Sequence, residues 1–168
     1  MSSNGYAYGP SGVARREEEI AYNEGPSAAF IKCPTVSRKT MTITIVRLGS
    51  PRKPKEGLRL GTVRRPPRGV PKSEFGKRDF YDVWLPMLSP SQVLVKEAKG
   101  AQDNRAWAKF ERKFRSEMNA PEAQRLLELL AAFSHQTDFS VGCYCEDESR
   151  CHRSLLRQLL AERGAKIA

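Results

Sequence analysis

The sequence predicts an α/β fold, a small mostly parallel sheet with helices packed on it, and three observations carry that expectation. Short β-branched or aromatic runs stand at 41–48, 79–85 and 139–145. Between the second and third lie stretches whose apolar residues recur every three or four positions, the period of a helix with one buried stripe. The last run leads through a polar turn into a final helix, and strands joined by helical crossovers return parallel to one another.

Taken in order, residues 1–38 are rich in Gly, Ser, Pro and Asn, and their charged run Arg15-Arg16-Glu17-Glu18-Glu19 has little apolar periodicity beside it. A mobile tail is expected there, with a short helix at most near Ala14–Tyr22, and one α/β domain over 39–168. Met41-Thr42-Ile43-Thr44-Ile45-Val46-Arg47-Leu48 is too short and too β-branched for a helix and reads as the first strand, ended by Gly49-Ser50-Pro51. Leu58–Val63 follows as a short extended segment. Arg64-Arg65-Pro66-Pro67-Arg68-Gly69-Val70-Pro71-Lys72 is a proline-stiffened basic loop that cannot be helical. Asp79–Leu85 is the next expected strand, stopped by Pro86.

Ser89-Pro90 is expected to start a helix running to about Lys99, with serine as its cap. Asp103 to Met118 places Trp107, Phe110, Phe114 and Met118 on one stripe. Asn119 is expected to cap a third helix running to about Ser134, with Leu126, Leu127, Leu130 and Phe133 on its buried side. Phe139–Cys145 reads as the third strand, its period of two putting Phe139, Val141, Cys143 and Cys145 on one face. Ser154 is expected to cap the last helix, which carries Leu155, Leu156, Leu159 and Leu160 and ends at Gly164.

Composition narrows the function classes. No apolar run is long enough to span a membrane, and Met1–Gly12 lacks the apolar core of a secretory signal, so a cytoplasmic location is expected. Three of the four cysteines, Cys143, Cys145 and Cys151, crowd into nine residues, unlike a dispersed disulfide framework. The net charge of +10 is concentrated: residues 41–78 hold 11 Lys/Arg against 2 Asp/Glu, whereas 79–168 are balanced at 13 each. A local cationic stretch attracts phosphates; a solvated basic loop is the plainer alternative.

The segment Cys143–Ser154 lies where a strand ends and a helix starts, the place where open α/β sheets bind ligands. Helix N–H groups, Ser154 and the Arg153 guanidinium favour an anion there. Arg47, at the end of the first strand, is expected to converge with Arg153 on one cleft, with Arg64, Arg65 and Arg68 at its rim. The expected ligand bears phosphate, as a nucleotide or a nucleic-acid end. A second reading makes Cys151 or Cys145 a nucleophile, with His152 as base or Glu146 as acid/base. Adjacent Cys151 and His152 make an awkward dyad, and the spacing from Cys145 meets Cys151 where a phosphatase loop would need arginine. A third reading has Cys143, Cys145, Cys151 and His152 hold zinc or an iron–sulfur cluster, as an alternative to the leading expectation of no cofactor. The structural alternative packs the cysteines in the core and pairs Arg153 with Glu146. Oligomeric state is not encoded in any motif.

Several short motifs, in order, resemble the domain of unknown function 488 family. They are Val46-Arg47, then Phe80-Tyr81-Asp82-Val83-Trp84-Leu85-Pro86 with Leu88-Ser89-Pro90-Ser91, the Trp107…Phe110…Phe114…Glu117-Met118 helix, and Cys151-His152-Arg153-Ser154. The resemblance spans 41–166 and leaves out the N-terminal segment. It implies a small cytoplasmic protein that keeps Arg47 after the first strand and Cys151, His152 and Arg153 at the last strand–helix turn. It carries no settled activity.

Overall fold

Four short strands, β1 (Ile43–Arg47), β2 (Leu58–Gly61), β3 (Val83–Trp84) and β4 (Phe139–Cys143), form one sheet in the order β1-β4-β2-β3, every pair parallel. They come from a computed structural model that describes residues 41–168. The expected N-terminal tail lies outside the described residues. Helices α1 (Gln92–Gly100), α2 (Asn104–Glu117) and α3 (Pro121–Phe133) lie between β3 and β4, and α4 (His152–Ala161) follows β4. Among the described residues no helix is long and apolar enough to cross a membrane.

The alternation of each strand decides its two faces. Ile43, Ile45, Leu60, Phe139 and Val141 form one cluster with Phe110 and Phe114 of α2, Leu127 and Leu130 of α3, and Leu155, Leu156, Leu159 and Leu160 of α4. The opposite face carries a buried polar group. Glu56 and Arg59 are 5% and 0% exposed, and the Arg59 Nε and one terminal nitrogen donate to the two Glu56 oxygens at 2.6 and 2.8 Å. The other terminal nitrogen donates to the backbone oxygens of Ser50 and Asp79, and Ser140 donates to Glu56 at 2.7 Å. Thus β2, β4 and the loops at Ser50 and Asp79 are fastened together from the side the helices leave open.

Helix ends follow local chemistry, and three of the four N-caps are displaced from the sequence expectation by one to three residues. Ser91, not Ser89, caps α1 through its side chain, and Asp103 caps α2 by accepting from Ala106. Ala120, not Asn119, precedes α3, which begins on Pro121. Ser154 does not cap α4: Cys151 occupies that position, and the Ser154 hydroxyl donates back to the Cys151 carbonyl at 2.9 Å.

The strand expected over 79–85 shrinks to Val83–Trp84. Asp79 adopts a left-handed φ of +58°, which breaks an extended run, and Tyr81 turns in to lie over Gly61. A Cβ on Gly61 would stand 2.4 Å from the Tyr81 ring, so only glycine allows this approach. Its sheet partner Gly142 is covered in the same way by Leu48. These paired glycines let the loops after β1 and before β3 settle onto the strand ends, where Val46, Leu48, Val63, Tyr81, Cys143 and Cys151 form a second apolar cluster.

Candidate functional site

That second cluster is the floor of the site. Cys143 is the last residue of β4, Cys145 lies two residues on, and Cys151 is the residue before α4. The period of two points Cys143 and Cys145 to the same side. The turn 146–150 then folds Cys151 back beside them, held by Ser149 N–H on Asp147 and by Arg157 of α4 on Glu148. The Cys143 and Cys145 sulfurs are 3.7 Å apart, and all three sulfurs lie within 4.8 Å of one another. Cys143 and Cys151 are buried and Cys145 is exposed.

His152 is buried beneath them. Its Nε2 stands 2.7 Å from the carbonyl of Thr62, which can only accept, so Nε2 carries the proton. Nδ1 is then the free lone pair in the neutral ring, and it faces the Cys151 sulfur at 3.7 Å. Adjacent residues reach each other because Cys151 keeps an extended backbone while His152 starts the helix. Burial presses the imidazole down to about 4, so His152 is neutral near neutral pH.

The thiols divide one charge among them. Hydrogen bonds from Cys143 and Cys151 hold the Cys145 thiol well below its ordinary range, helped by the positive charge of Arg153. The same sharing with Cys145 pushes Cys143 up, and burial adds to it. Cys145 is therefore the natural thiolate of the three.

A cleft of about 750 Å³ opens over the sulfurs. Arg64, Arg65, Arg68, Lys96, Lys99 and Arg150 line it, and among the described residues no carboxylate does. Phe80, Trp107, Phe110 and Tyr144 form its aromatic walls, and Arg150 lies over the Trp107 ring at 5.7 Å. Arg64 is tied to the backbone oxygens of Ser89 and Pro90, which folds the basic loop back over the cleft.

The other expected site residues fall elsewhere. Arg47 lines a smaller neighbouring depression with Arg78, beyond Phe80 and Tyr144, and pairs with Glu146 at 3.0 Å. Arg153 lines neither cleft. It is buried, and one terminal nitrogen donates to the carbonyl of Cys145 at 2.8 Å. Arg47 and Arg153 thus do not converge, and Glu146 turns to Arg47 rather than to Arg153 or the thiols. The geometry gives Arg153 the work of fixing the Cys145 backbone. Lys96, Lys99 and Arg150 reach the cleft without a motif to mark them, and Trp107, expected on the core stripe of its helix, lines it as well. The only local signal was the i, i+3 spacing of Lys96 and Lys99 on one helix face.

A family model described as "DUF488-N3a: Active DUF488-N3 subclade" matches residues 43–164. The match takes in all four strands and all four helices, with the three clustered cysteines. No curated protein and no solved structure matches the chain.

Proposed function

The chain belongs to the domain of unknown function 488 family, and on that premise we propose that its cleft binds a phosphate-bearing ligand, a nucleotide or a nucleic-acid end, either to hold it or to process it beside the thiol cluster. The observation that carries this reading is the lining itself: among the described residues, six cationic side chains and no carboxylate. In a concave site with apolar walls such charges reinforce one another and raise the local concentration of anions. Guanidinium forks match phosphate oxygens, and the aromatic walls suit a flat ring.

Binding of ADP and of a short single-stranded oligonucleotide, followed by fluorescence anisotropy at low and moderate salt, tests the proposal. Affinity is expected to fall steeply with salt. The triple variant Arg65→Ala, Arg68→Ala, Lys99→Ala is expected to bind at least about 10-fold more weakly, with a shallower salt slope. Arg125→Ala, on exposed α3 outside the cleft, is the control and should change nothing. Absence of binding to either probe, or binding that the triple variant leaves intact, ends the proposal.

A second reading, a thiol-dependent reaction at Cys145, is favoured by that residue's exposure and lowered pKa. Its measure is the rate of alkylation by iodoacetamide near pH 6. Cys145 is expected to react much faster than free cysteine there, and Cys145→Ser should abolish the fast phase. A Cys145 no faster than free cysteine removes this reading.

A further inference from the structure

We propose that Cys143, Cys145 and Cys151 hold a single tetrahedral ion of the zinc class as a three-thiolate set whose fourth position opens into the cleft. A tetrahedron with metal–sulfur bonds of about 2.3 Å has sulfur–sulfur edges of roughly 3.8 Å. The Cys143–Cys145 edge is 3.7 Å, and no edge of the triangle exceeds 4.8 Å. The sulfurs therefore need to close by about 1 Å at most to share one ion of this class. An iron–sulfur cubane places each thiolate on a separate iron and spaces the sulfurs more widely, so the spacing favours one ion over a cluster. Three sulfurs and no oxygen donor select a soft or borderline metal over magnesium or calcium.

Each cysteine is placed by a different constraint, which makes the triangle a built arrangement. Cys143 is fixed by the β1–β4 pairing, where it stands opposite Arg47. Cys145 is fixed through its carbonyl by the buried Arg153. Cys151 is fixed at the start of α4, whose N-terminal dipole and the neighbouring Arg153 suit the net negative charge of three thiolates on a divalent ion. Binding displaces the protons that the thiols still hold, and the cleft gives them a path to solvent.

The fourth position is not supplied by His152. Among the described residues, the metal-capable ligand atoms within 4.8 Å of one another are the three sulfurs alone. The His152 Nε2 is engaged with Thr62. Cys145 and the cationic lining face the same cleft. A site with three protein ligands and one open position is the arrangement of a reactive metal, whereas structural sites are closed by four.

The test titrates the full chain, stripped of metal with EDTA under reductant, with cobalt(II) and no phosphate ligand. One equivalent is expected to bind, with sulfur-to-metal charge transfer and the intense visible bands of tetrahedral cobalt, and one equivalent of zinc should displace it. Cys145→Ser should weaken cobalt binding by about 100-fold or more. Added 2-mercaptoethanol should shift the visible bands in the wild type by occupying the open position. Cys33→Ser, which changes the cysteine outside the described residues, should leave stoichiometry and bands unaltered. Failure of the folded wild type to take up cobalt or zinc overturns the proposal, as does an octahedral spectrum. Bands that ignore exogenous thiol but change in Cys33→Ser or His152→Ala overturn the open position. The anion-binding measurements, repeated on the EDTA-treated protein, stand or fall separately.

Discussion

Replacing Arg59 with leucine is expected to lower the unfolding free energy by about 3–5 kcal/mol, since removing one partner of a buried ion pair strands the other. Arg59 has no exposed surface, and its guanidinium satisfies both Glu56 oxygens together with the carbonyls of Ser50 and Asp79. Leucine would leave a buried carboxylate with only Ser140 and the Lys53 N–H as donors, and two carbonyls without this donor. Urea unfolding followed by circular dichroism measures the loss. The pair Glu56→Gln, Arg59→Met should be milder than Arg59→Leu, because no charge is then stranded. A loss under about 1 kcal/mol for Arg59→Leu would show that this group is not what fastens the sheet's open face.

The same group sets the acid limb of stability. Burial alone would raise the Glu56 carboxyl, but hydrogen bonds from Arg59, Ser140 and the Lys53 N–H outweigh it and hold the group at about 2. An ordinary glutamate titrates near 4.5, so the unfolded chain takes up this proton first as pH falls. The contribution is thus fully present above about pH 4.5 and is lost as pH drops toward about 2, with a magnitude of roughly 3 kcal/mol. In Glu56→Gln this part of the acid limb should disappear. An unchanged limb would place the acid sensitivity in other groups.

Gly57→Ala is the second change with a large expected effect. Gly57 has a φ of +73°, and a Cβ there would sit 1.8 Å from the carbonyl oxygen of Asp138. Both atoms belong to backbone, so relief requires the start of β2 to move away from the start of β4. A loss above about 3 kcal/mol, roughly 10 °C in Tm, is expected. Gly69 separates the two causes. Its φ is +69°, yet nothing lies within 4 Å of its Cβ position, so Gly69→Ala should cost only about 1 kcal/mol from the backbone itself. Equal Tm shifts for the two variants would mean that the Asp138 contact carries no weight.

Period alone made most of the architecture legible. Trp107, Phe110 and Phe114, like Leu155, Leu156, Leu159 and Leu160, stand buried where their spacing put them. The Cys143/Cys145 pair shared a side for the same reason. What period could not convey was where long polar side chains would end. Arg59 sits between Leu58 and Leu60 with Glu56 three residues before it, a hint of a buried pair that a general reading of basic residues as surface hides. Phe80 and Tyr81 looked like strand residues, but a left-handed Asp79 and the bare backbone of Gly61 sent them into the second cluster. Arg47 ends β1, and Arg153 stands in the first turn of α4. Their side chains part because Glu146 attracts one and the Cys145 carbonyl holds the other. The bond from His152 to Thr62 joins residues 90 positions apart and has no local signature.

The sheet order also fixes the sequence of folding events. β4 is the last strand along the chain, yet it lies between β1 and β2, which do not pair with each other. The two-residue β2–β3 ladder is too slight to persist alone. Closing the sheet therefore waits on contacts separated by 81 to 96 positions, a nonlocal topology that slows folding. Cys143 ends the strand that completes the sheet, so the thiol triangle and the sheet become ordered in one step. A nascent or partly unfolded chain has no half-made site, and protection of the buried Cys143 and Cys151 thiols should track global folding with a single rate.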